Sequence, residues 1–301
     1  VYDNFQRTNP RVGAIAMPIV QSIAGRTRDL GGFSVARVLP APQRRSLGPF
    51  VFFDEMGPAD IAPGHGIDVR PHPHIGLATV TYLFAGGLGH RDSLGTVIDI
   101  APGAVNWMTA GRGIVHSERT PPALRAAGHH MHGIQSWVAL PVGHAEAAPA
   151  FVHHPADSLP VVDLPGGRAT VIAGTMFGVT SPVQFPHPII YTEVRLEAGA
   201  RFELPAAWGE RGVYPVSGSG TIDGVAIELG TLAVLATGDA ILTAETPLHV
   251  MILGGAPFPE PRHIEWNFVS HAPERIEVAK DDWKAGRFPQ VPGETEFIPL
   301  P

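Results

Sequence analysis

The 301-residue chain contains no cysteine, which rules out disulfide frameworks, thiolate metal sites and cysteine nucleophiles together. Charge is scarce too: Asp, Glu, Lys and Arg make up 16% of residues, with a formal net charge of -7. No basic stripe interrupts this acidic balance, so neither nucleic acid nor an anionic membrane surface is an expected partner. No run approaches the ~18 uninterrupted apolar residues of a membrane-crossing helix. The opening stretch VYDNFQRTNPRVG is polar and lacks the apolar centre of a signal peptide, so a soluble, cytoplasmic protein is expected. There is no Walker motif and no G-x-S-x-G elbow, and GGLG (86–89) reads as a turn because no helix follows it.

What the chain has is apolar residues (44%), with 35 glycines and 31 prolines spread along its length. That mixture suits many short strands joined by tight turns. Runs with period-two alternation recur at 78–84, 95–100, 135–140, 169–174, 188–196, 230–236 and 247–253. One helix is expected, over SHAPERIEVAKDDWKAG (270–286), with Ser270 as a cap, Pro273 in the first turn and Gly286 as the stop.

A weak internal repeat runs through the chain. TYLFAG, ending at Gly86, resembles VYPVSG, ending at Gly218, and GAVNWMTAGRGIVHSE (103–118) lies on GTLAVLATGDAILTAE (230–245) without a gap. The expected architecture is all-β, with two β-barrel domains in tandem, 1–148 and 149–301, and a short C-terminal helix. FVHHPADSLP (151–160) reads as the linker.

The repeat also separates chemistry from scaffold. His72 and His74 fall opposite Leu204 and Ala206, and His116 falls opposite Thr243. Any metal chemistry therefore belongs to the first half. Residues i and i+2 of a strand share a face, so His72 with His74, and His116 with Glu118, form two pairs of neighbours. On adjacent strands these pairs converge three imidazoles and one carboxylate on one point, a donor set for a metal ion. By the same parity Ala78 is expected in that cavity. His132 is a weaker candidate approaching from a neighbouring strand, with Gln135 as a supporting donor. His129 and His130 read as loop residues entering a strand, His153 and His154 as linker residues, and His90 and Asp92 in GHRDSLG (89–95) as hairpin-turn residues.

GIDVRPHPHIGLATVTYLFAG, HRDSLG, NWMTAGRGIVHSE and HGIQSWVALP closely resemble the pirin family of the cupin superfamily. The Gly-x5-His-x-His pattern is met by Gly66, His72 and His74, and Gly-x2-His by Gly113 and His116. The resemblance is dense over the first half and looser to the tail DDWKAGRF. It implies a bicupin of jelly-roll-like barrels with one divalent transition metal per chain, Fe(II) first and Mn, Ni, Cu or Co as alternatives. The implied ligands are His72, His74, His116 and Glu118. One position departs from the family pattern: Ala78 stands where glutamate is frequent.

The resemblance implies two functions of different kinds. The first is a metal-dependent dioxygenase of the quercetin 2,3-dioxygenase type, taking a flavonol-like aromatic and O2, with Glu118 as both weak ligand and general base. The second is a metal- or redox-sensing protein that binds a protein partner. An apolar cavity open to an aromatic ligand favours the enzyme, and a closed one favours the sensor.

Overall fold

The computed structural model describes residues 17–29 and 33–301, so the polar stretch 1–13 lies outside the described residues. Alternation becomes strand, and the two faces of each central strand are buried in different places. In Leu77–Ala85, Leu77 and Leu83 enter clusters of the first barrel, with the buried Thr79 and Thr81 between them. Ala78, Val80 and Tyr82 alternate away into a cluster shared with Tyr191, Tyr214, Leu232 and Met251 of the second half. Two sheets thus pack face to face through their backs. Phe50 meets Tyr191 edge-on at 5.1 Å, and Phe53 meets Tyr214 at 5.0 Å.

The halves match closely as two cupin barrels in tandem, the second large sheet carrying one extra short strand, Val179–Thr180, beside Gly167–Met176. The first large sheet runs Ala150–His154, Val105–Thr109, Leu77–Ala85, His129–Ala139, Phe50–Ile61, Ser34–Leu39, Arg26–Asp29. The second runs Ile19–Ala24, Thr231–Leu235, Glu210–Ser217, Leu248–Gly255, Ile189–Leu196, Gly167–Met176, Val161–Leu164. Each barrel is completed by a four-stranded sheet: Asp68–His74, Ile114–Arg119, Leu88–Asp92, Val97–Ile100 in the first, and Arg201–Leu204, Ala240–Ala244, Gly220–Ile222, Val225–Ile227 in the second.

In each large sheet a late strand is inserted between earlier ones, His129–Ala139 in the first and Leu248–Gly255 in the second, and the edge strands Ala150–His154 and Ile19–Ala24 are exchanged between the sheets. Ala150–His154 pairs with Val105–Thr109 of the first barrel, so His153 and His154 lie in an edge strand rather than a loop. His153 Nδ1 lies 2.7 Å from Asn106 Oδ1. Ile19–Ala24, at the other end of the chain, closes the second barrel against Thr231–Leu235.

The second barrel is filled by apolar side chains, Leu204, Leu242, Val250 and Ile252 among them. Its one buried cation, Arg211, is 1% exposed and donates to the carbonyls of Leu204 and Gly238.

The C-terminal segment returns to the first barrel. A hairpin, His263–Glu265 with Phe268–Ser270, sets Phe268 against Ile75, and the helix Pro273–Lys284 buries Ile276 and Ala279 beside them. Ala272 rather than Ser270 occupies the cap position, and the Ser270 hydroxyl accepts the Ala272 N–H at 3.1 Å. The tail is tied down where the Ile298 N–H donates to the Pro71 carbonyl at 2.8 Å. A short helix, Pro122–Ala127, was not expected from the sequence. No helix among the described residues is long and apolar enough to cross a membrane.

Candidate metal centre

Strand register assembles the site. Asp68–His74 runs antiparallel to Ile114–Arg119, setting His72 opposite His116 and His74 opposite Ile114. A register shift between His116 and Glu118 puts Glu118 opposite Val69 on that side, while Glu118 faces His90 on the other neighbour, Leu88–Asp92. Donor atoms of His72, His74 and His116 lie within 4.8 Å of one another, and so do those of His90, His116 and Glu118. The structure therefore gathers the three expected histidines and sets Glu118 in an adjoining group that shares His116.

The ring orientations are constrained. His72 Nδ1 lies 2.9 Å from the Arg70 carbonyl, and His74 Nδ1 lies 3.2 Å from the carbonyl of Asn267 in the C-terminal hairpin. A carbonyl only accepts, so both rings carry their proton on Nδ1 and leave Nε2 as a bare lone pair. His74 Nε2 sits 3.1 Å from His116 Nε2.

All three histidines are buried, with His74 and His116 each 1% exposed. Burial disfavours the imidazolium: it pulls His72 down to about 4 and holds His74 and His116 well below the ordinary histidine value. Neutral rings are the ligating form. Burial also pushes the Glu118 carboxyl up, against the pull of His90.

The histidines open on a cavity of about 470 Å³ that Glu118 and Gln135 also line. One wall is a stack: the Arg37 guanidinium lies 4.4 Å over Phe52, Phe52 lies 3.9 Å over Trp137, and Trp137 meets His74 edge-on at 5.1 Å. Asp54 pairs with Arg37 at 2.7 Å. Ile264, Trp266, Asn267 and Ile298 of the C-terminal segment form another wall. Exposed Asp68 and Arg70 stand at the rim, so the cavity reaches the surface.

Two expectations are corrected. Ala78 does not line the cavity; it is fully buried in the core between the halves. The parity that carries His72 and His74 ends at Gly76 (φ 69°), after which the chain enters the other sheet. His132 likewise turns away from the histidine cluster and lies 2.8 Å from Glu55.

Sequence reasoning missed the wall donated by the C-terminal segment, and also His90 and Asp92. The latter are not turn residues but lie in the strand Leu88–Asp92, 5% and 0% exposed. Burial raises the Asp92 carboxyl, but hydrogen bonds from His90 and Thr96 outweigh it and leave it below the ordinary carboxylate value. The period-two spacing of GHRD, the same signal used for the other two pairs, marks them.

Comparison with known proteins agrees with this architecture. The Pirin family model matches residues 32–138, and the Pirin C-terminal cupin domain model matches residues 191–289. A pirin-like protein of Caulobacter vibrioides is 49% identical over 92% of this chain and 97% of its own length. Human pirin is 31% identical over 88% of this chain and 92% of its own. The crystal structure of a quercetin 2,3-dioxygenase from Acinetobacter baumannii superimposes with a TM-score of 0.88 at 33% identity, covering 94% of this chain and 95% of that one. This chain is a member of the pirin family.

Proposed function

We propose that the protein is a metal-dependent dioxygenase of the quercetin 2,3-dioxygenase type, acting on a planar, flavonol-like aromatic with O2. Its metal, one divalent transition ion per chain with Fe(II) the first choice, would be held by His72, His74, His116 and Glu118. The observation that carries the reading is the pair of facing imidazoles. His74 presents a bare Nε2 to His116 Nε2 at 3.1 Å inside a buried cluster of neutral rings, an arrangement that a shared cation satisfies. Three nitrogens and one carboxylate oxygen suit Fe, Mn, Co, Ni or Cu.

When bound, the ion supplies a Lewis-acidic point at which a chelating hydroxyl of the substrate and O2 meet. The remaining work falls to the chain. Glu118, raised by burial, is suited to accept the hydroxyl proton of the bound aromatic. The Arg37–Phe52–Trp137 stack offers a flat face to a planar ring, and Trp266 and Ile298 shield it from water. Gln135 accepts the Thr81 hydroxyl at 2.8 Å through Oε1, which fixes the amide at the cavity wall.

The volume lies within the ~300–1,000 Å³ of small-molecule sites, and the mouth is open. Both features favour the enzyme over a sensor, whose site needs no such space. Elemental analysis of the purified protein, followed by O2 uptake with flavonols and other chelating aromatics, tests the reading. One bound transition ion and flavonol-dependent O2 consumption are expected. A metal-loaded protein that consumes no O2 with any of them overturns the activity, and a protein that binds no transition ion overturns the site.

A further inference from the structure

We infer that Asp92 and His90 form a positioning relay that fixes the tautomer of His116, extending the metal site beyond its four donors. The inference rests on the metal reading above. His72 and His74 need no such help, because each Nδ1 faces a backbone carbonyl that can only accept. His116 differs: its Nδ1 faces another imidazole, His90 Nδ1, at 3.4 Å. An imidazole nitrogen can donate or accept, so this contact alone leaves the His116 proton undecided. Were it on Nε2, His116 would direct an N–H at the point where its lone pair is required.

Asp92 decides the matter. It is 0% exposed. Its Oδ1 accepts the backbone N–H groups of Leu94 at 2.9 Å and Thr96 at 3.0 Å, which pins the carboxylate. Its Oδ2 lies 3.1 Å from His90 Nε2. A carboxylate only accepts, so His90 carries its proton on Nε2 and its Nδ1 is bare. The bare Nδ1 accepts from His116 Nδ1–H, and His116 Nε2 is left as the lone pair that faces His74. One buried carboxylate thus sets, through two rings, the state of one ligand atom. His90 is held in plane by stacking on Phe151 of the exchanged edge strand, centroids 4.4 Å apart at 25°. Such supporting contacts orient a ligating histidine and raise its basicity.

The test is competition of Co(II) between a chelator and the full-length protein, read by affinity and by the visible bands of the bound cobalt, with melting of the metal-free protein in parallel. Asp92→Asn keeps the Oδ1 acceptor but places an amide N–H2 against His90 Nε2. This reverses both protons and turns an N–H toward the metal. A loss of affinity of about 10- to 100-fold and a shifted cobalt spectrum are expected. His90→Leu should lose affinity comparably, and His90→Asn, whose amide oxygen falls near the Nδ1 position, should recover part of it. In the His90→Leu background Asp92→Asn should add nothing further, whereas a role in packing alone would make the two losses add.

If Asp92→Asn fails to fold, the comparison of His90→Leu with His90→Asn decides alone. Wild type that binds Co(II), beside variants within twofold of it and with the same bands, overturns the relay and leaves the metal site standing. Wild type that binds no Co(II) overturns the metal reading itself.

Discussion

Tyr82 of the first barrel donates its phenol proton to Glu193 of the second, Oη to Oε2 at 2.6 Å. The relationship is reciprocated: Tyr214 of the second donates to Glu55 of the first, also at 2.6 Å. Each carboxylate is backed by a histidine of its own half, His249 beside Glu193 and His132 beside Glu55, both at 2.8 Å. The His249 Nε2 contact with Glu193 is close without counting as a hydrogen bond. The two tyrosines are the repeat-related residues of TYLFAG and VYPVSG. Tyr82→Phe and Tyr214→Phe should each cost about 1–3 kcal/mol, the penalty for leaving a buried acceptor short of its donor. Urea unfolding measures it, and bound metal per chain should not change. A loss below ~0.5 kcal/mol in both variants would show these bonds to be worth little.

Glu118→Gln should act in opposite directions on stability and turnover. In the metal-free protein Glu118 is a buried carboxyl whose ionised form burial disfavours, so removing that charge should raise the unfolding midpoint. In the loaded enzyme the same change removes the proposed base, and turnover should fall by about 10²-fold or more, with metal retained more weakly. His116→Ala should lose metal and activity together. A Glu118→Gln enzyme that turns over a flavonol at the wild-type rate disproves the base assignment.

The histidine cluster sets an acid limit on the metal-free protein. Its rings titrate near ~6.5 in the unfolded chain, but in the folded protein His72 does so only at about 4 and His74 and His116 well below 6.5. Below 6.5 the unfolded state therefore binds more protons, and stability falls as pH drops from about 6.5 toward 4. Above that window these groups contribute no slope. Bound metal competes with the same protons, so its release midpoint should lie below 6.5. Metal-free wild type whose stability varies across the window no differently from that of a variant lacking the three rings would contradict this.

Gly76 links the site to the C-terminal hairpin. Its φ is 69°, and a Cβ placed there would lie 2.0 Å from the Val269 carbonyl oxygen. Gly76→Ala should push away the hairpin that carries the Asn267 acceptor for His74, weakening metal binding and stability together, the latter by more than ~1 kcal/mol. Calorimetry and metal titration of the one variant read both effects. Wild-type metal affinity would mean that the hairpin tolerates the displacement.

Much of this architecture was legible in the sequence because it follows from local periodicity. The seven runs chosen by alternation all overlap strands, and the gapless match of 103–118 on 230–245 falls on equivalent consecutive strands, Val105–Thr109 then Ile114–Arg119 and Thr231–Leu235 then Ala240–Ala244, each passing from the large sheet to the small one. His72, His74 and His116 converge because i, i+2 pairs on adjacent strands must. What was missed depends on long-range pairing. Ala78 was misplaced because parity was carried through Gly76, a break that only the sheet assignment reveals. Trp266, Asn267 and Ile298 reach the cavity from far along the chain, Asn267 from 193 positions beyond His74 and Ile298 from further still, and no short window shows such a contact. His90 and Asp92 were read as a turn because the glycines around them resemble turn punctuation, while their own spacing was a strand signal.

The exchanged edge strands bear on how the chain is made. Ile19–Ala24 leaves the ribosome early, yet its partner Thr231–Leu235 follows only after some two hundred further residues. Until then that strand must wait unpaired for a barrel that has not yet been made. The first barrel, conversely, keeps the edge at Val105–Thr109 open until Ala150–His154 arrives. Contacts of such long range slow folding, and an open strand edge is a template for another chain. A fragment cut at the repeat boundary would present that edge permanently. The second sheet therefore cannot be completed by the second half alone, because its edge strand Ile19–Ala24 comes from the start of the first.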